Sequence, residues 1–302
     1  MIFFILIKIK LSSKILNITI NKMKLIIHGG FFSESLTDPE TKFQKQSALI
    51  KIVQKGYDYL TTHTAVETVV YTVSLLEDDP LFNAGLGSQI QSDGKIRLSA
   101  ALMNGNTLKM SGVINIENVE HPILVAEKLM TYDDRILAGS GAIEFASKHG
   151  FDHFNPETEQ RKKEFEEKIN STRTSTVGCV CLDGDNNIAV ATSTGGKGFE
   201  IPGRVSDSAT VAGNYANKYC GVSMTGVGED IVSGAMAAKI VTRVTDGITI
   251  EDAFEKSFEE LKQIKGFAGA IAIDHFGNIF HQESHLTMVY ASFDGIELKY
   301  FE

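Results

Sequence analysis

Three cysteines in 302 residues are too few, and odd in number, for a disulfide framework. Cys179 and Cys181 lie two apart in a β-rich run, so both point to one face of a strand and read as packed thiols. Free thiols suit a reducing compartment, and a cytoplasmic protein is expected. Basic residues are in deficit as well. The 29 Lys and Arg stand against 38 Asp and Glu, a net charge of −9, which excludes a broad nucleic-acid surface because phosphate binding needs clustered cations. No apolar run is long enough to span a membrane. Residues 1–22 come nearest, but Lys8, Lys10 and Lys14 interrupt them, and their apolar residues precede the charges, the reverse of a secretory leader. They read as a dispensable extension ahead of a folded part that opens at Met23.

Internal repeats are absent, and so are the short motifs of several enzyme classes. No G-x-x-x-x-G-K-[ST] phosphate loop, H-E-x-x-H or paired-cysteine zinc pattern, or G-x-S-x-G elbow occurs. Gly226-Val227-Gly228 lacks the third glycine of a dinucleotide-binding turn. Nucleotide, zinc and serine-elbow chemistry are therefore set aside.

What is present is an ordinary globular composition, 43% hydrophobic and 22% charged, with enough apolar material for a large core. Leu25-Ile26-Ile27 predicts a strand ending at His28-Gly29-Gly30. Two helical segments follow; in the second, Ala65, Val66, Val69, Val70, Val73 and Leu76 recur at helical spacing and Pro80 stops it. Asp93-Gly94 predicts a hairpin turn between Ile90 and Ile96. Helical stretches are expected around Val125 to Met130 and Ala142 to Lys148, the latter capped by Gly150. The polar passage 152–174 reads as a solvated surface linker. Beyond it, the runs from Thr176 and Ile188 predict a hairpin around Asp183 to Asn187, and those from Ala268 and Ile279 repeat the design around Asp274 to Asn278. Helices are expected near Glu229 to Val241 and Ile250 to Leu261. Strands and helices cluster rather than alternate, which favours stacked sheets covered by helices, an α+β class.

Four short motifs fall in order between Thr176 and Glu229. They are Thr176-Val177-Gly178, Thr192-Ser193-Thr194-Gly195-Gly196, Pro202-Gly203-Arg204-Val205-Ser206-Asp207 and Thr225-Gly226-Val227-Gly228-Glu229. Singly each is bland: a Thr opening a strand is commonly just β-branched, Arg204 suits a surface ion pair, and Asp207 suits a helix N-cap. Together they resemble the plant-type L-asparaginase and isoaspartyl aminopeptidase family of N-terminal-nucleophile threonine hydrolases. The resemblance extends upstream to Leu76-Glu77-Asp78-Asp79-Pro80-Leu81-Phe82-Asn83-Ala84-Gly85 and covers nearly all of residues 23–302. It implies an αββα four-layer sandwich, cut between Ser175 and Thr176 into chains 1–175 and 176–302.

The residue types suit that chemistry. A Thr hydroxyl is a poor nucleophile without a base beside it. The α-amine of an N-terminal Thr, with a pKa of about 7.7–8 in the unperturbed state, can be that base. An internal Thr has no such amine, so a cut must come first. The resemblance makes Thr176 the nucleophile, Thr194 its hydrogen-bonding partner, Thr225 and Gly226 the oxyanion hole, and Asn83 a loop residue near the site. It makes Arg204 and Asp207 the grips for a substrate's α-carboxylate and α-ammonium, with Val205, Ser206, Val227 and Gly228 around them. It requires no catalytic cofactor or metal; the carbonyls of the 76–86 loop would hold a structural Na⁺ or K⁺. The implied substrates are small, L-asparagine and β-aspartyl dipeptides, and the implied assembly is a homodimer of cut protomers.

Three stretches depart from the family's pattern. Ser175 stands where Gly or Asp is usual, Phe31-Phe32 follow His28-Gly29-Gly30 where small residues are usual, and Ser99 and Asn104 replace acidic residues. The alternatives are a glycosylasparaginase or threonine-aspartase-like protease of the same chemistry, or an uncut homologue that binds ligands without catalysis.

Overall fold

The computed structural model describes residues 22–31, 38–167, 176–285 and 287–302. Ser175, Phe32 and residues 1–21 of the expected extension lie outside the described residues.

The N-terminal half supplies β1 (Lys24–Phe31), α1 (Pro39–Leu60), α2 (Ala65–Glu77), β2 (Leu98–Asn104), β3 (Lys109–Ile116), α3 (Pro122–Leu129), β4 (Ile136–Ala138), α4 (Gly139–Lys148) and α5 (Glu159–Glu166). From Thr176 onward come β5 (Val177–Leu182), β6 (Ile188–Thr194), β7 (Asn214–Ala216), β8 (Cys220–Gly226), α6 (Gly228–Gly234), α7 (Met236–Thr245), α8 (Ile250–Gln263), β9 (Ala268–Asp274), β10 (Ile279–Glu283), β11 (Met288–Phe293) and β12 (Leu298–Tyr300). The protein is thus mixed α and β. One sheet has eight strands in the order β12-β11-β1-β5-β6-β2-β3-β4, and a second has four in the order β10-β9-β8-β7. No described helix is long and apolar enough to cross a membrane.

The strand period of two sorts the core into three clusters. Leu25 and Ile27 of β1, Cys179 and Cys181 of β5, and Ala189 and Ala191 of β6 pack with α1, α2 and α3. Their alternates, Ile26, Val180, Leu182, Ile188 and Val190, meet Ile271 and Ile273 of the second sheet. The outward face of that sheet, with Val222, Met224, Ala270 and Ala272, buries Ile240, Val241 and Phe254 of α7 and α8. Cys179 and Cys181 are fully buried free thiols on one face, as the spacing predicts.

Local chemistry explains the boundaries. A capping box between Thr64 and Glu67 starts α2, and the helix ends at Glu77, before Pro80. The β5–β6 and β9–β10 hairpins share one turn device. Asp183 Oδ1 accepts from the backbone N–H groups of Asp185 and Asn187, and Asp274 Oδ1 from those of Phe276 and Asn278. The expected helix near Glu229 to Val241 is divided, because Ala235 adopts a left-handed conformation, φ 47°, between α6 and α7.

Two expectations fail. Asp93-Gly94 does turn the chain, with Gln91 N–H bonded to Lys95 C=O at 2.8 Å, but the flanks form no strands. Their backbone pairs instead with residues 199–200: Phe199 N–H donates to Ile90 C=O and Ser92 N–H to Glu200 C=O. The passage read as a solvated linker carries α5, capped by Thr158. Arg161 is only 6% exposed and its Nε donates to Gly87 C=O at 2.7 Å. Phe165 stacks on Phe199 with ring centroids 5.2 Å apart. Its charge density reflects a helix with one docked face, not a free chain.

Candidate active site

The faces that the two sheets turn toward each other change character along their length. The residues stepping along β5 from its far end are Leu182, Val180, Gly178 and then Thr176. Along β6 they are Ile188, Val190, Thr192 and Thr194, and along β8 they are Gly221, Ser223 and Thr225. Gly178 pairs with Thr192 across the ladder, and Gly221 sits against Val180 and Ile188. Each strand therefore runs from an apolar rung, through a rung of Gly178, Thr192 and Ser223, to a terminal rung of threonines.

That terminal rung holds three of the expected residues. Thr176 is 6% exposed, and its Oγ1 donates to Thr194 Oγ1 at 3.3 Å. Thr194 Oγ1 also accepts from Gly196 N–H at 3.1 Å. Thr225 is fully buried, and its Oγ1 has no hydrogen-bond partner among the described residues. A buried hydroxyl without a partner is costly unless a ligand completes it.

Asn83 acts on the backbone beside that rung. Its Nδ2 donates to Gly196 C=O at 2.5 Å, its Oδ1 accepts from Gln89 N–H at 2.9 Å, and its carbonyl accepts from Gly195 N–H. It pins the segment leaving Thr194.

Arg204, Ser206 and Asp207 converge on Gly228. A Cβ there would lie 2.4 Å from Ser206 Oγ, 2.9 Å from Asp207 Oδ1 and 3.0 Å from Arg204 Nη2, so only glycine fits. Ser206 Oγ donates to Asp207 Oδ1 at 2.8 Å, and Asp207 Oδ2 is buried with no partner among the described residues. Burial pushes the Asp207 carboxyl up to about 6, against the pull of the Ser206 hydroxyl and the Arg204 charge. Arg204 makes a two-pronged ion pair with Glu229, Nε to Oε1 at 2.7 Å and Nη2 to Oε2 at 2.9 Å. Those hydrogen bonds hold the Glu229 carboxyl down to about 2. Val205 is half exposed. The chain from Thr225 through Gly226 and Val227 to Gly228 joins the threonine rung to this second cluster.

Sequence reasoning did not single out several residues here. His28, Thr192, Asn214 and Ser223, all fully buried, form a polar group behind the threonines. Glu77 is a buried carboxyl at the end of α2. Its Oε1 accepts from Ser193 Oγ at 2.6 Å and from Ile123 N–H at 3.2 Å, while Oε2 has no partner among the described residues. Burial raises its pKa well above the ordinary carboxylate range. The signal available for Thr192 and Ser223 was their spacing of two from Thr194 and Thr225. His28 and Glu77 gave none, being single polar residues at the ends of apolar runs.

Comparison with known proteins follows this geometry. Residues 21–301 match the family described as Asparaginase. The chain is 43% identical over 275 residues to the isoaspartyl peptidase/L-asparaginase of Synechocystis, covering 85% of this chain and 83% of that one. It is 34% identical to the plant-type L-asparaginase of Pyrococcus abyssi, covering 88% of this chain and 95% of that one. The isoaspartyl peptidase of Escherichia coli is 35% identical, with 85% and 88% covered.

Proposed function

The chain belongs to the asparaginase family, and on that premise we propose that it hydrolyses the side-chain amide of L-asparagine and the β-aspartyl bond of isoaspartyl dipeptides. The observation that carries the reading is the rung of Thr176, Thr194 and Thr225, joined through Gly228 to the partly buried Arg204 and the buried Asp207. One group of hydroxyls and one pair of opposite charges suit a substrate with an amide at one end and an amino-acid head at the other.

Thr176 Oγ first attacks the Ser175 carbonyl. The peptide nitrogen leaves as the new α-amine, and water hydrolyses the resulting ester to release a chain ending at Ser175. The freed amine then takes the Oγ proton as Oγ attacks the substrate's side-chain carbonyl. Thr225 Oγ–H and Gly226 N–H stabilise the oxyanion, where removing one donor typically costs about 10²–10³ in rate. The amine returns its proton to the departing ammonia or amino acid, and water resolves the acyl-enzyme. Thr194 steadies Thr176 Oγ1 throughout, while Arg204 holds the α-carboxylate and Asp207 the α-ammonium.

The same reading takes residues 23–302 as one domain, with its layers stacked α-β-β-α, in a cytoplasmic homodimer of cut protomers. An alkali cation in the 76–86 loop is part of it. Backbone carbonyls are hard-oxygen ligands, and Leu86 N–H donating to Glu77 C=O at 2.8 Å closes that loop on itself. The cation's role is to brace the loop that carries Asn83.

Intact-mass analysis of the purified chain tests the first step and is expected to show a fragment beginning at Thr176. Ammonia release from L-asparagine and cleavage of a β-aspartyl dipeptide test the second, and both are expected to vanish in Thr176→Ala. An uncut chain after long incubation, or turnover that survives Thr176→Ala, overturns the reading.

A further inference from the structure

Behind the threonine rung lies a chain of buried side chains that the reaction does not use. His28 Nε2 is 2.9 Å from Ser223 Oγ, and Ser223 Oγ is 2.8 Å from Thr192 Oγ1. Thr192 Oγ1 in turn donates to Asn214 Oδ1 at 2.9 Å. The four residues come from β1, β6, β7 and β8, so the chain crosses from one sheet to the other. All are fully buried.

The His28 ring also lies against the Thr176 backbone, where a hydrogen bond works against the effect of burial. Burial drives the ring's pKa down to about 3, so it is neutral at any physiological pH and serves as neither general acid nor cation. Its position is fixed on the other side by a missing atom. A Cβ on Gly178 would lie 2.0 Å from Ser223 Oγ and 2.4 Å from His28 Nε2. Gly178 is two residues from the nucleophile and pairs directly with His28 across the β1–β5 ladder. A buried polar chain is an expensive way to fill an inter-sheet gap. An apolar side chain would fill it without that cost.

We propose that His28 is a positioning residue for the nucleophile: its ring occupies the slot left by Gly178, is anchored by Ser223, and sets the height of the Thr176 backbone between the sheets. It touches no reacting atom. The geometry it fixes is the direction of Thr176 Oγ1 toward the substrate carbonyl, where a displacement of about 1 Å costs on the order of 10²-fold. The proposal rests on the reading of Thr176 as the nucleophile.

The test uses the full chain with His28→Leu, His28→Gln and Ser223→Ala. Turnover of L-asparagine is measured per cut protomer, with the cut fraction taken from intact mass. His28→Leu is expected to lower kcat by roughly 30-fold or more with KM within about threefold. His28→Gln, which keeps an amide N–H toward Ser223, is expected to stay within about fivefold of native. Ser223→Ala leaves the ring in place but unanchored and is expected to lower kcat about fivefold with KM unchanged; it carries the test where His28→Leu does not fold. A native kcat in His28→Leu or Ser223→Ala, a loss confined to KM, or equal losses in the Leu and Gln variants overturns the proposal. A native protein inert toward both L-asparagine and a β-aspartyl dipeptide overturns the functional reading, and this proposal with it.

Discussion

The guanidinium of Arg204 grips both carboxylate oxygens of Glu229, at 2.7 and 2.9 Å, through its Nε and Nη2 edge. Glu229 is half exposed, so the pair adds little to stability; on the proposed reading its effect is to orient a planar fork whose remaining edge would take the substrate carboxylate. Lysine retains the charge but not the fork. Arg204→Lys is expected to raise KM for L-asparagine at least about tenfold and to change kcat much less. Steady-state kinetics decide this, and a KM within about twofold of native contradicts it.

Asp207 predicts a pH dependence with a definite sign. Its folded pKa is raised to about 6, so a substrate ammonium meets an ionised partner only above that value. Accordingly, the Asp207 contribution to kcat/KM is expected to rise about tenfold per pH unit below 6 and to level off above it, on top of the rise from the Thr176 α-amine, whose unperturbed pKa is about 7.7–8; the difference between the native and Asp207→Asn profiles isolates it. The same shift opposes stability. The folded state binds the proton more tightly than the unfolded state, so stability falls as pH rises from about 4 to 6 and stays lower beyond. Asp207→Asn is expected to gain roughly 2–3 kcal/mol at pH 7, to lose that gain near pH 4, and to bind substrate poorly. Urea titrations at the two pH values check the first part, and an unchanged midpoint at pH 7 counts against it.

Glu77 follows the same logic at a structural position. Burial raises its pKa, so its ionisation costs stability as pH rises above the ordinary carboxylate value. Glu77→Gln keeps an acceptor for Ser193 and Ile123 and removes the titrating group. It is expected to melt with the native protein at low pH and above it at pH 8. Glu77→Ala strands the Ser193 hydroxyl and the Ile123 N–H and is expected to cost about 2–5 kcal/mol. Melting temperatures across pH test both, and a Gln variant that melts below native at pH 8 refutes the first.

The docking of α5 gives a stability prediction with an internal control. Arg161→Ala leaves Gly87 C=O without its buried donor, at a cost of about 1–3 kcal/mol. Lys163, on the exposed side of the same helix, is expected to tolerate Ala within about 0.5 kcal/mol. Equal unfolding midpoints for the two variants contradict the docking.

Much of the site was legible because strands keep a period of two. Thr192 and Thr194, and Ser223 and Thr225, announce one polar face on each of two strands, and the paired Asp-to-Asn turns announce the hairpins. Arg204 and Asp207 were legible only through resemblance, since nothing in their own spacing separates a ligand grip from an ion pair and a cap. The failures share one cause. The flanks of Asp93-Gly94 look like strands until the 199–200 segment takes their hydrogen bonds, and α5 looks solvated until Arg161 and Phe165 find partners far away in sequence. His28 reads as the end of an apolar strand, because its three polar neighbours lie on other strands.

The strand order has a consequence for the protein once it undergoes the proposed cut. β1, from the first half, lies between β5 and β11, both from the second, and β2 lies against β6. The two product chains are therefore woven through one sheet, and neither can leave without dismantling it. Cutting removes a covalent tether from a fabric that does not need it, yet what one chain once reassembled alone must afterwards be rebuilt by an encounter of two. Renaturation of the protein so cut would be a second-order process that slows on dilution, and the proposed maturation would in this sense be a one-way passage from a refoldable molecule to one held together by its own unfolding barrier.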